Sequence, residues 1–569
     1  MAIEDAAIDD SGLDDGGLTP SLRRNTAIMA AGTATSRALG LVRTALLAWA
    51  IGVNAGPASA FDVANKLPGI LLTLLASGVL NAVLVPQVVR AMARTNGKQT
   101  VDRIVTIGTV AMFAVTAVLT AAAPLFILAY TSKYTPELRG IAIAFALWTI
   151  PQLFFYGVYT LLGQILNARS RFGPFMWAPA ANNFVAVLGL VVFLALFGSA
   201  PTLAGGDTST GLLDAWGPGK IALLAGVATL GIAVQALVLI VPLARSGYRW
   251  RWKWSGPKGE LDGIKRVAGW ALAAVLLEQV GILFVTRVAS AALYAGGGAP
   301  DVASNAAFTN ALMLYLLPHS LITVSIVTAL FTGMSRLAAA GDIAGLRAEL
   351  SRGLRTIGVF TIFATAALIV LAQLAVRVTL PSTSDVVVTS VAHVVIALAF
   401  GLGPLGAMIL VKQAYLALED ARSLFWIQIP MTATLIAITF IGWKVLDVHW
   451  WVVAAGAGMA ISYAVSTALR MVGLRTRLGG LDGRRVLSTH LRAIVAVLPA
   501  SAVGWLLLRV IPDLTTMRRI PEVLASAGWC VAIGAAMALV YGIGLVVLQV
   551  DEWRDAIRGP LRRLGFRVP

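Results

Sequence analysis

Cysteine is all but missing from this chain. Cys530 is the only one among 569 residues, so no intrachain disulfide forms and thiolate metal clusters are excluded. Histidine is scarce too. His319, His393, His449 and His490 are scattered and give no ligand pair, and no H-E-x-x-H run occurs. There is no P-loop, no G-x-S-x-G nucleophile elbow and no filter-like re-entrant segment. These gaps argue against a cofactor, a metal and enzymatic catalysis. Charge is sparse, at 12% of residues, and acids are outnumbered, 27 against 44 basic residues. A net charge of +17 would suggest nucleic acid in a soluble protein, but no basic-aromatic nucleic-acid module is present. Hydrophobic residues fill the space, at 58% with a mean hydropathy of +0.83, which places the chain among all-α polytopic membrane proteins.

Residues 1–25 are acidic and poorly apolar and read as a disordered cytoplasmic tail. About fourteen apolar spans follow, at 26–52, 60–89, 104–130, 140–166, 173–198, 219–244, 267–295, 303–334, 356–380, 386–418, 424–443, 448–469, 493–511 and 521–549. With the N-terminus inside, 31 basic residues flank the inner ends and 8 the outer ends. That asymmetry is the positive-inside signature and puts both termini in the cytoplasm of a multi-pass plasma-membrane protein.

Five basic residues fall inside spans. Arg37 and Arg43 lie in the first, TAIMAAGTATSRALGLVRTALLAWAIG, at bilayer depth. Each costs at least about 2.5–3.5 kcal/mol there unless it faces a polar cavity. Gly40 stands between them and leaves a notch where a ligand or another backbone approaches, so Ser36, Arg37, Gly40 and Arg43 form a candidate anion site. The competing reading has one arginine snorkelling and the other paired structurally. Lys66 divides evenly between cavity and interface, and Lys412 reads as snorkelling. Arg287 divides evenly between cavity and structure and shares span seven with Glu278, read as the one clearly intramembrane acid, on the opposite face; Lys66, Arg287 and Glu278 join the candidate substrate-binding set.

The chain repeats itself. Ala168-Arg169-Ser170-Arg171-Phe172 and Ala421-Arg422-Ser423-Leu424-Phe425 share A-R-S-x-F, and Pro151 and Pro404 keep the same offset. Leu67-Pro68 and Leu317-Pro318 are offset almost equally. A six-span unit enters the membrane twice in the same orientation. The expected organisation is a six-helix lobe at 26–244, a basic-aromatic cytoplasmic linker at 245–266 suited to anionic headgroups, and a second lobe at 267–469. Two extra helices at 470–549 and a cytoplasmic tail at 550–569 complete it. Pro68 and Pro318 are candidate hinges, or equally static kinks.

These residues carry a family resemblance. Ser36-Arg37-x-x-Gly40-x-x-Arg43 resembles the first-span signature of the MviN/MurJ family, the lipid II flippases of the multidrug/oligosaccharidyl-lipid/polysaccharide exporter superfamily. Lys66-Leu67-Pro68 with Ser77-Gly78 and Val85-Pro86 resembles the second span. Pro318 with the following ITVSIVTALFTGMSR resembles the eighth, and Tyr415 to Arg422 the motif after the tenth. The resemblance implies transfer of lipid II, the undecaprenyl-pyrophosphate-linked disaccharide peptide, from inner to outer leaflet by alternating access. It implies a central cavity holding the charged head and a groove on the last two spans for the tail. Cell-wall or division proteins are compatible partners. Several positions depart from the family pattern: Leu72-Thr73 where many members carry two arginines, Thr44 and Ser77 where acids are frequent, and Leu312-Met313 in place of an acid and an arginine. A non-transporting scaffold for cell-wall assembly, or an exporter of another lipid-linked or drug cargo, are the alternative readings.

Overall fold

The computed structural model describes residues 20–53, 56–75, 97–169, 171–199, 216–254, 265–381, 383–418, 420–512 and 519–555. The acidic tail before residue 20, the second half of span two with Ser77-Gly78 and Val85-Pro86, most of the linker after Trp254 and the tail beyond residue 555 lie outside them. Every regular element among the described residues is helical. The helices are α1 (Pro20–Ile51), α2 (Gly56–Leu75), α3 (Gly97–Ala121), α4 (Ala123–Tyr130), α5 (Pro136–Thr149), α6 (Gln152–Ala168), α7 (Phe172–Phe197), α8 (Pro218–Leu237) and α9 (Ile240–Arg245). They continue as α10 (Lys265–Ala295), α11 (Asn305–Ala339), α12 (Ile343–Thr379), α13 (Asp385–Ala399), α14 (Leu402–Ala417), α15 (Ala421–Val445), α16 (Trp451–Arg477), α17 (Gly483–Leu508) and α18 (Arg519–Val547).

Eleven of the described helical segments are long and apolar enough to cross a membrane, and the pair α13 and α14, bent by 43° at its break, makes a twelfth. α1 and α2, which carry Arg37, Arg43, Asp62 and Lys66, fall outside that apolar set. The outer surface is apolar in a way no soluble protein tolerates. On α17, Leu487, Leu491, Ile494 and Leu498 are all exposed at helical spacing, and Leu188, Val191, Val192 and Leu196 do the same on α7. Such stripes suit lipid tails.

Helix boundaries follow local chemistry. Thr135 accepts from the Leu138 N–H at 3.3 Å and Pro136 opens α5. Asp342 accepts from Gly345 N–H at 2.8 Å and caps α12, and Asp420 accepts from Ser423 N–H at 3.0 Å and caps α15. Spans four and ten each break near the middle, at Ile150-Pro151 and at Phe400-Gly401. Side chains donate to backbone carbonyls at and just beyond the second break. Thr365 donates to Ala399 O at 3.0 Å, and Thr467 donates to Pro404 O at 2.9 Å. Buried backbone carbonyls in a bilayer require such partners.

Packing is tightest within two sets of helices. α7 packs against α1 and α8, α2 against α5, and α8 against α6. The α7–α8 approach depends on Gly189, where a Cβ would stand 2.1 Å from Val227 Cγ1. In the second set α11 packs against α12, α13 and α14, α15 against α10 and α16, and α17 and α18 lie on α12. Across the two sets α2 meets α10 and α11, and α1 meets α12. The domain boundary expected at 469/470 falls inside α16, which continues to Arg477. The basic residues Arg470, Arg475 and Arg477 sit in its last turns, where cations favour the helix C-terminus.

Candidate functional site

α1, α2, α7 and α11 enclose a cavity of about 290 Å³ between the two sets of helices. Its polar lining is Arg43 and Thr44 from α1, Asp62 and Asn65 from α2, Asn183 from α7, and Thr309 and Asn310 from α11. Arg43 makes no hydrogen bond or ion pair among the described residues, and its electrostatic neighbour is Tyr156 of α6. On its other side it borders a small apolar hollow with Leu47, Phe61, Leu190 and Leu224. A guanidinium held between an apolar wall and a polar cavity is poised for an anion that can take two of its N–H groups.

The structure separates the two first-span arginines. Arg37 donates through Nη1 to the Ser320 hydroxyl of α11, two residues past Pro318, and does not line the cavity. Ser36 is held by α7, where Asn183 Nδ2 donates to its carbonyl at 2.8 Å and meets its hydroxyl at 3.2 Å. Gly40 lines the cavity, and a Cβ there would stand 3.6 Å from the same Asn183 amide. At that distance a Cβ would make ordinary contact, so α7 would approach as closely with alanine there.

The other candidate residues lie apart from that cavity. Lys66 pairs with Asp62 one turn earlier at 2.5 Å. Arg287 donates to Ala129 O at 2.9 Å and joins α10 to the end of α4. Glu278 is in electrostatic reach of Lys412 and Arg470, so those three charges from α10, α14 and α16 form a separate group. α2 and α11 remain helical through Pro68 and Pro318.

Asp62, an acid that the sequence reading did not single out beside Glu278, lines the cavity. It lies near the start of span two. Its carboxylate accepts from Lys66 and, across the two helix sets, from Thr309 at 3.0 Å. The Asp62-x-x-x-Lys66 spacing, one helical turn, was the available signal. The departures from the family pattern also change meaning. Thr44 donates to Gly40 O at 3.0 Å and contacts Met313 Sδ at 3.1 Å, and both side chains line the cavity. An acid and an arginine exchanged for these two neighbours leave net charge unchanged.

A model of the family described as lipid II flippase MurJ matches residues 47–523. The chain belongs to the MurJ family. A probable lipid II flippase MurJ of Haemophilus influenzae is 24% identical over 546 residues, covering 91% of this chain and 98% of its own. One from Synechocystis sp. is 27% identical over 413 residues, covering 71% and 73%. A solved structure of lipid II flippase MurJ in an inward closed conformation superposes with a TM-score of 0.66 at 17% identity, covering 94% of this chain and all of that one. An inward-facing multidrug resistance MATE transporter of the MOP superfamily follows at 0.60 and 15%, covering 79% and 96%. At those identities the structural likeness speaks for the fold, an all-helical polytopic transporter fold that MurJ and MATE proteins share.

Proposed function

We propose that this protein moves lipid II from the inner to the outer leaflet of the bacterial plasma membrane by alternating access. The observation that carries this reading is Arg43, a guanidinium without an ion pair among the described residues, lining a cavity between two sets of helices. A pyrophosphate supplies the missing anion. With both termini cytoplasmic, the cavity occupies the outer half of the membrane, where α1 ends and α2 and α11 begin. The Arg37–Ser320 bond then stands on its cytoplasmic side. Ser304 donating to Val53 O at 3.0 Å, Arg287 to Ala129 O and Thr309 to Asp62 join the helix sets nearer the outer face. Residues 26–244 and 267–477 act as two lobes that rock against each other, breaking one group of contacts as the other forms. Pro68 and Pro318, each removing one backbone bond, are the places where α2 and α11 bend. α17 and α18, resting on α12 with exposed apolar faces, carry the lipid tail.

Depletion of the protein followed by a leaflet-resolved lipid II assay tests the transport. Lipid II should accumulate on the inner leaflet. Normal translocation after depletion would transfer the protein to the scaffold reading. Binding to Arg43→Ala in nanodiscs tests the site, and wild-type affinity at normal abundance would remove Arg43 from it.

A further inference from the structure

The cavity is polarised in hydrogen-bonding character, and this has consequences for the ligand. Arg43 offers only donors. Other polar residues of the lining offer acceptors. Asn183 and Asn310 each spend the amide nitrogen on a backbone carbonyl, of Ser36 at 2.8 Å and of Ala306 at 2.8 Å. A carbonyl can only accept, so the amide orientation is fixed and both Oδ1 atoms are left without a partner among the described residues. Asp62 uses Oδ2 for both Lys66 and Thr309, which leaves its Oδ1 likewise free. Asn65 accepts from Gln152 Nε2 at 3.2 Å through its oxygen and contributes a free donor. Three acceptors and one amide donor make a poor second anion site. They match hydroxyl groups and an N-acetyl amide.

We infer that Asp62, Asn310 and Asn183 form a sugar subsite, which takes the ring attached directly to the pyrophosphate held by Arg43. This rests on the proposed flippase function and assigns an orientation to the headgroup within it. Covalent adjacency supports the assignment, because the ring bonded to the phosphate must lie next to the phosphate's arginine. The volume supports it as well. About 290 Å³ is at the lower end for ligand pockets, room for a phosphate and a ring but not for the whole disaccharide peptide. Thr309 is bonded to Asp62 from across the two helix sets, so a sugar engaging Asp62 is felt by both.

Three ligands in nanodiscs separate the possibilities: undecaprenyl pyrophosphate, the same lipid bearing one N-acetylated sugar without peptide, and lipid II. For the wild type, adding the single sugar should tighten binding about tenfold or more. Asn310→Ala should lose on the order of 3–10-fold of that gain, with affinity for the bare pyrophosphate lipid unchanged. Asp62→Ala/Lys66→Ala removes an acceptor and its counter-charge together and should behave alike, with thermal unfolding checking that it folds. Arg43→Ala should weaken all three ligands. If both Asn310→Ala and the double variant keep the full sugar gain, the subsite is overturned and the flippase reading stands. If the wild type binds none of the three lipids, both fall.

Discussion

Of two polar hollows among the described residues, the wider is the less suited to a ligand. One, of about 520 Å³, opens where α12 and α17 meet the segment after α18, and is lined by Arg352, Arg355, Arg485 and Arg554 with Asp551, Glu552 and Asp555. Its two most buried charges answer each other: Arg355 donates to Glu552, with both side chains nearly buried. The other, between α1, α2, α7 and α11, is about 290 Å³ and holds one arginine and one acid. Its acid is already paired with Lys66, leaving Arg43 without an ion pair among the described residues. Volume and arginine count favour the first. Unanswered charge at membrane depth favours the second, and it is the better guide, because an uncompensated cation there is costly without a ligand.

The largest effect that sharpens this contrast belongs to the wider hollow. Arg355→Ala leaves Glu552 nearly buried without its partner and should destabilise the protein by about 3 kcal/mol. Thermal unfolding in detergent reads this, while lipid II affinity of the folded fraction should stay at the wild-type value. A large loss of affinity in folded protein would make the wider hollow a ligand site and break the comparison.

Arg43→Ala comes next and should do the reverse. Losing a charge-assisted contact to a desolvated anion costs about 1.5–3 kcal/mol, roughly 10–150-fold in affinity, with little change in unfolding temperature. Lysine should rescue only in part, since it keeps the charge and loses the planar fork. Arg37→Ala should weaken binding less than Arg43→Ala, because Arg37 is engaged by Ser320. Equal losses for the two would return both arginines to one site.

Pro318→Ala acts on motion. Restoring one backbone hydrogen bond within α11 is worth about 1 kcal/mol, a roughly fivefold shift between access states. Cysteine labelling from the two sides of the membrane measures it, and unchanged labelling in both Pro318→Ala and Pro68→Ala would reduce these prolines to packing features.

Much of this architecture was legible in the sequence. Hydropathy located the spans, and the shared offset of A-R-S-x-F and of Pro151 and Pro404 was read as a repeated six-span unit. Arg37 and Arg43 stood out because arginine in an apolar run has few explanations. What stayed hidden was pairing. Sequence could not say that Arg37 meets Ser320, nearly three hundred residues away, or that Thr44 and Met313 touch. The departures from the family pattern were read one by one, whereas Thr44 and Met313, at two of those positions, are neighbours in the cavity. Asp62 was not singled out although its partner Lys66, one turn on, was close enough to see.

The smallest effect concerns the motif after span ten, whose residues the structure ties up among themselves. Tyr415 donates to Arg470 O at 3.0 Å, and Asp420 caps α15 and pairs with Arg477 at 2.7 Å. Partial burial opposes the charge on Asp420, yet the hydroxyl and N–H of Ser423 together with Arg477 hold its carboxyl below the usual value. A depressed folded pKa gives stability that is fully present above the unfolded value of about 3.9 and is lost as pH falls through the folded one. Asp420→Ala should cost about 1 kcal/mol at neutral pH, mostly as a lost cap. Asp420→Asn keeps a competent cap and removes only the pairing with Arg477, so it should cost less. Its deficit relative to wild type should be constant above about pH 5 and shrink as the wild-type carboxyl protonates below that. Unfolding temperatures taken from pH 7 down to pH 3 decide the matter. A deficit that does not shrink on acidification would remove the ion pair from the account, and a loss of lipid II affinity in Asp420→Asn would move this motif from scaffold to site.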